Sequence, residues 1–167
     1  RCLHCYNSSG ENLASQNELT DQEVLDFIDE FKSIKLLNFC FCGGEPLLRK
    51  ELIVEAAKRL RTYGCENVAM VSNGILMTDE VIEELINAGV TRIQISLDGI
   101  KAESHDRIRN KKGVYEKATR AIEALVKHGV DTAVAFTPTS FNISELRAVR
   151  DYLHTVGISG TSLRVQP

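Results

Sequence analysis

The chain has 167 residues, a formal net charge of -3, and a composition of 43% hydrophobic and 26% charged residues. That length suits a single domain able to bury roughly two-thirds of its unfolded surface, and the composition disfavours a disordered or fibrous chain. Charges of both signs are interspersed, which argues against a nucleic-acid stripe or a polybasic membrane patch; no apolar run reaches the roughly 18 residues of a bilayer span and no signal-peptide pattern opens the chain, so a cytoplasmic location is expected.

The chain opens with Cys2-Leu3-His4-Cys5. The polar stretch 7–18 that follows, with Gly, Ser and Asn and no periodicity, reads as a long loop. Thr20 and Glu23 then have the spacing of a capping box, and Val24, Leu25, Phe27, Ile28 and Phe31 make an apolar helical face, which predicts a helix over 21–33. The apolar run 35–41 has strand length and stops at Gly43-Gly44. A helix over 46–64 is expected next, with Pro46 where a first turn tolerates it and Gly64 where a helix ends.

The alternation continues. Residues 67–72 read as a strand closed by Asn73-Gly74, and Thr78 caps a helix over 78–89, with Val81 standing where a complete capping box would have Glu or Gln. Residues 91–97 read as a strand ending at Asp98-Gly99, followed by a short helix over 102–110 and a longer one ending at Gly129. A strand over 131–137, a helix over 143–157 and a final strand at 162–167 complete the series. Regular βα alternation implies a parallel sheet with right-handed crossovers. Either an open doubly wound sheet or part of a (β/α) barrel fits, and both place functional loops at the carboxyl ends of the strands.

Polar residues and glycines gather at those ends, and turn chemistry accounts for most of them. Gly43-Gly44-Glu45 stands out: paired glycines leave backbone groups open to close approach, and a carboxylate beside them suits an ammonium-bearing small molecule. A place in the first turn of the next helix would also explain Glu45. The five cysteines, at 2, 5, 40, 42 and 65, make a poor disulfide framework. Cys40 and Cys42 lie two apart on a strand, so they face the same way and read as small buried residues. Cys2-x-x-Cys5 lacks the second pair of a structural zinc site, and no helix follows it as in a thioredoxin motif; iron-sulfur ligation from a strand-end loop remains open to it. Neither G-x-G-x-x-G nor a P-loop occurs.

Taken in order, Cys2-x-x-Cys5-Tyr6, Gly43-Gly44-Glu45-Pro46, Ser72-Asn73-Gly74 and Ser96-Leu97-Asp98-Gly99 resemble the radical SAM (S-adenosylmethionine) superfamily, whose signature is C-x3-C-x2-C with an aromatic residue before the last Cys. His4 takes the aromatic place, and the first cysteine would fall three residues before Arg1. The resemblance implies a partial (β/α)6 TIM-like barrel of parallel strands, truncated at both ends, forming one radical SAM core domain over 1–167. It implies a [4Fe-4S] cluster with Cys2 and Cys5 as two of its three ligands, and S-adenosylmethionine chelated to the fourth iron. Gly43, Gly44 and Glu45 would receive the methionine ammonium, while Ser96 and Asp98 would contact the ribose or the methionine end.

Arg109 would pair with the SAM carboxylate, though a charged helix face also explains it. Ser72 and Asn73 on one strand and Thr137 on another are further candidates. Leu163 and Val165 would touch adenine, or simply pack in the core. The pair His105-Asp106 reads as positional, orienting the arginine that follows. The subgroup resembled matures peptides and cofactors, and includes members with SPASM or twitch extensions. It implies an oxidoreductase-type enzyme with a peptide or small-molecule substrate and a ferredoxin or flavodoxin reductant, and no nucleic-acid or membrane partner. The alternative is a non-catalytic iron-sulfur or zinc-binding module.

Overall fold

The computed structural model describes residues 2–5 and 18–166, so the loop expected over 7–18 lies outside the described residues except for Glu18. Helix α1 spans Asp21–Asp29 and runs on as a 3-10 turn to Ser33. Its capping box forms as the sequence predicts, with Glu23 N donating to Thr20 Oγ1 at 3.2 Å and Thr20 N to Glu23 Oε2 at 2.8 Å. Of its apolar face only Ile28 is fully buried, and Phe27 stays exposed.

Strands β1 (Asn38–Phe41), β2 (Asn67–Ser72), β3 (Arg92–Ser96), β4 (Asp131–Phe136) and β5 (Leu163–Val165) alternate with helices α2 (Lys50–Thr62), α3 (Asp79–Ala88), α4 (Ala102–Arg109), α5 (Val114–Lys127) and α6 (Leu146–Thr155). The first strand is shorter than the apolar run, because parallel pairing starts only where Asn38 meets Asn67. A 3-10 turn, Pro46–Arg49, takes up the start of the helix expected from residue 46.

The five strands pair in the order β1-β2-β3-β4-β5, all parallel. A doubly wound sheet needs a reversal of strand order, so sequential pairing selects the barrel alternative. Right-handed crossovers of one sense put the helices on one face of the sheet. Val68, Met70, Ile93, Ile95, Val134 and Phe136 meet Ala57, Leu60, Ile82, Leu85, Ile122 and Leu125 there in a continuous core.

The other face is concave and carries the alternate residues. Ser96, Ala135 and Arg164 stand side by side in register across β3, β4 and β5. A parallel sheet paired in sequential order with its helices on one side curls, as in a barrel.

Cys40 and Cys42 correct the sequence expectation, because both are exposed. Phe39 and Phe41 stack edge-to-face at 5.0 Å and Phe31 joins them at 6.1 Å, which gives that face of β1 to the helices. The two cysteines take the concave face, with their sulfurs 3.4 Å apart. Cys65, by contrast, is buried in the core and lies between α2 and β2 in the chain.

Candidate functional site

The carboxyl ends of β1 and β2 are tied into one unit by Glu45. Its Oε1 accepts from Ser72 Oγ at 2.8 Å and from Leu47 N at 3.3 Å, and its Oε2 accepts from Asn73 N at 2.8 Å. Ser72 Oγ in turn accepts from Gly74 N at 3.0 Å, and Asn73 Oδ1 accepts from Ile75 N at 2.9 Å. A strand-to-helix turn with Pro at its first position leaves its opening N–H groups without partners, and Glu45 caps them. Gly43 has φ +133°, a conformation closed to side chains, and a Cβ there would meet nothing within 4 Å. Gly43 and Gly44 are exposed, so the backbone before Glu45 lies open to a ligand.

At the ends of β3 and β4 the centre is Asp98, 0% exposed. Its Oδ1 accepts from Thr137 N at 2.9 Å. Its Oδ2 meets Arg109 Nη2 at 2.6 Å as an ion pair, without the alignment of a hydrogen bond, and lies 3.4 Å from His4 Nε2. Burial alone would raise the Asp98 carboxyl, but His4, Arg109 and the Thr137 N–H outweigh it and hold the group below its usual range. Asp98 N–H donates to His105 Nδ1 at 3.0 Å. Burial first, and the Arg109 charge second, push His105 down to about 4, so the imidazole is neutral at pH 7.

The Cys2–Cys5 turn is seated on the end of α4. Leu3 N donates to Ile108 O at 2.8 Å, Cys5 N to Cys2 O at 3.2 Å, and Arg109 Nη1 stands 3.8 Å from Cys2 Sγ. His4 Nδ1 and Arg109 Nε are buried with no partner, leaving polar capacity at this junction. The expected residues thus fall into two groups on the same end of the sheet: Gly43, Gly44, Glu45, Ser72 and Asn73 around one carboxylate, and Cys2, His4, Asp98, Thr137 and Arg109 around the other. Ser96 lies on the concave face beside Ala135. Leu163 is half-buried and packs against the core.

A family model of the Radical SAM superfamily matches residues 1–153. The chain belongs to the radical SAM superfamily. It is 36% identical over 148 residues to an AdoMet-dependent heme synthase of Methanosarcina barkeri, covering 87% of this chain and 41% of that protein. Over 148 residues it is 34% identical to the mycofactocin maturase MftC of Mycolicibacterium smegmatis, covering 87% of this chain and 36% of the relative. The chain therefore spans well under half the length of these curated relatives. Its fold matches the solved structure of native anSMEcpe with bound AdoMet at a TM-score of 0.78 and 20% identity, over 98% of this chain and 46% of that one. No helix among the described residues is long and apolar enough to cross a membrane.

This radical SAM chain also uses two residues that sequence reasoning passed over, Asn142 and Glu145. Asn142 is 0% exposed; its Nδ2 donates to Asp98 O at 2.8 Å and Thr137 O at 2.9 Å, and its Oδ1 accepts from Thr139 N at 2.6 Å. Glu145 Oε2 accepts from Ile100 N at 2.8 Å and Ser104 Oγ at 2.9 Å, fixing the loop after β3. Asp106 caps α5 by accepting from Val114 N at 3.1 Å and Tyr115 N at 2.9 Å. The hydrogen bonds of His105 and Asp106 run to the Asp98 backbone and the start of α5, and not to the arginine that the sequence reading had them orient.

The donor set can be tested against an iron-sulfur cluster. Cys2 and Cys5 supply two thiols from one short turn, as such ligation prefers. Among the described residues no group of three Cys, His, Asp or Glu side chains stands in metal-holding geometry.

Proposed function

We propose that this chain is the catalytic core of a radical SAM enzyme acting on a peptide or small-molecule substrate in the cytoplasm. The observation that carries the reading is the seating of the Cys2–Cys5 turn against Arg109 and Asp98, on the same sheet end as the open Gly43-Gly44-Glu45 backbone. Cys2 and Cys5 would hold two sites of a [4Fe-4S] cluster. When bound and reduced by a ferredoxin- or flavodoxin-type donor, the cluster supplies the electron that cleaves S-adenosylmethionine to methionine and a 5'-deoxyadenosyl radical, which abstracts hydrogen from substrate.

The chain's own residues bind and orient. Carbonyls at Gly43 and Gly44 and the Glu45 carboxylate accept hydrogen bonds from the methionine ammonium. Glu45 is already aimed by Ser72, Asn73 and Leu47, so little ordering is left to do on binding. Arg109 carries its charge beside Cys2 and offers an unpartnered Nε, and a guanidinium fork suits the methionine carboxylate. Buried Asp98 holds that arginine in place, and Ser96 presents a hydroxyl to the ribose from the concave face.

The test is anaerobic reconstitution of the full-length protein with iron and sulfide, followed by reduction and measurement of 5'-deoxyadenosine formed from SAM. Cleavage that is lost in Cys2→Ala and Cys5→Ala supports the reading. A cluster that neither binds nor cleaves SAM would overturn it.

A further inference from the structure

Cys40 and Cys42 have no part in the site above, yet they form a built pair. Both project from the concave face of β1 and its carboxyl end, both are exposed, and their sulfurs stand 3.4 Å apart, inside twice the van der Waals radius of sulfur. Cys42 leads directly into Gly43, whose φ of +133° gives the chain a joint at that point. We propose that Cys40 and Cys42 are a redox-active dithiol in the barrel interior, closing to an intramolecular disulfide by exchange with a low-molecular-weight disulfide.

The geometry supports closure and reopening alike. Residues two apart in extended chain have Cα atoms roughly 6.5 Å apart, near the upper limit a disulfide spans. That separation still lies within the range a disulfide spans, and an accessible disulfide is open to reduction by exchange as well as to closure. Cys42, just beyond the carboxyl end of β1, is the attacking thiol, and Cys40, within the strand, resolves.

In the exchange, the Cys42 sulfur attacks one sulfur of RSSR; that S–S bond breaks, and the departing RS⁻ takes up the proton Cys42 gave up. Cys40 then attacks Cys42 Sγ, its own proton passing to the second RS⁻ as it leaves. Two protein thiols are oxidised to one disulfide and one RSSR is reduced to two RSH, with no electrons or protons left over.

Lys35 and Arg49 bound a tryptic peptide, 36–49, that carries both cysteines and no other. The full-length, cluster-loaded protein is incubated anaerobically with oxidised glutathione, alkylated, digested and weighed. Peptide 36–49 should escape alkylation and weigh about 2 Da less than the unalkylated dithiol peptide, and dithiothreitol added before alkylation should restore labelling of both cysteines. Closure should need about tenfold less oxidised glutathione than in denaturing urea, because the fold holds the sulfurs together. In Cys40→Ser a stable glutathione adduct should collect on Cys42. Full alkylation of both cysteines after oxidation, adducts on the unsubstituted protein in place of closure, or equal closure in urea would overturn the proposal.

Discussion

The backbone N–H of Asp98 donates to Nδ1 of His105, with both side chains buried. The bond fixes the imidazole with its remaining proton on Nε2, and it fixes the strand-end peptide whose carboxylate anchors Arg109. Such an imidazole makes stability depend on pH. In the unfolded chain it titrates near 6.5, whereas in the fold it is held at about 4. Between those values the unfolded state takes a proton that the folded state refuses, so stability is complete above about pH 6.5 and falls as pH drops toward 4.

Urea midpoints followed from pH 7 to 4.5 should therefore decline, by up to about 3 kcal/mol at the acid end. His105→Asn keeps an acceptor for the amide without the titration and should flatten this window. Asp98, with its lowered carboxyl, gives up its own contribution only at more acid pH, below the histidine window. A native protein equally stable at pH 7 and pH 5 would show that His105 is not buried in neutral form.

Asp98→Asn isolates the charge of the same residue. Asparagine still offers an oxygen to Thr137 N–H, but Arg109, only 15% exposed, loses its counter-ion. Stranding a buried cation costs about 3 kcal/mol, read from urea unfolding. Adding Arg109→Gln should return part of that loss, and strict additivity of the two substitutions would deny the coupling.

Much of this architecture was legible in the sequence. Every strand followed from apolar runs bounded by glycine or Asn-Gly, and the Thr20 and Thr78 caps followed from side-chain spacing, since local hydrogen bonds are written in local sequence. The choice between barrel and doubly wound sheet was not, because it depends on strand order. Cys40 and Cys42 were misjudged for the same reason: in Phe39-Cys40-Phe41-Cys42 either alternate set is apolar enough to be buried, and only the one-sided helix layer decides. Asn142 and Glu145 escaped notice because each reaches a backbone group more than forty residues away, Asp98 O and Ile100 N, which no spacing rule reaches.

Asn142→Leu should cost about 3 kcal/mol. The carbonyls of Asp98 and Thr137 would lose their shared donor in a place water does not reach, and each stranded acceptor costs about 1–3 kcal/mol. Asn142→Asp should be worse still, since it turns a second acceptor toward those carbonyls. A urea midpoint for Asn142→Leu within a few tenths of a kcal/mol of the parent would mean the bridge is dispensable.

Gly43→Ala tests the open backbone before Glu45. With φ at +133° an alanine is strained by about 1–2 kcal/mol, although its Cβ would touch nothing. The strain is relieved by turning the peptides that face the ligand, so SAM affinity should fall about tenfold or more while the fold persists. Gly64→Ala is the matched control: its φ is +88°, its Cβ position is also open, and it lies before β2, at the opposite end of the sheet. It should lose similar stability and keep its affinity for SAM, measured by equilibrium dialysis on the cluster-loaded protein. Equal affinities in the two variants would remove the Gly43 backbone from the binding site.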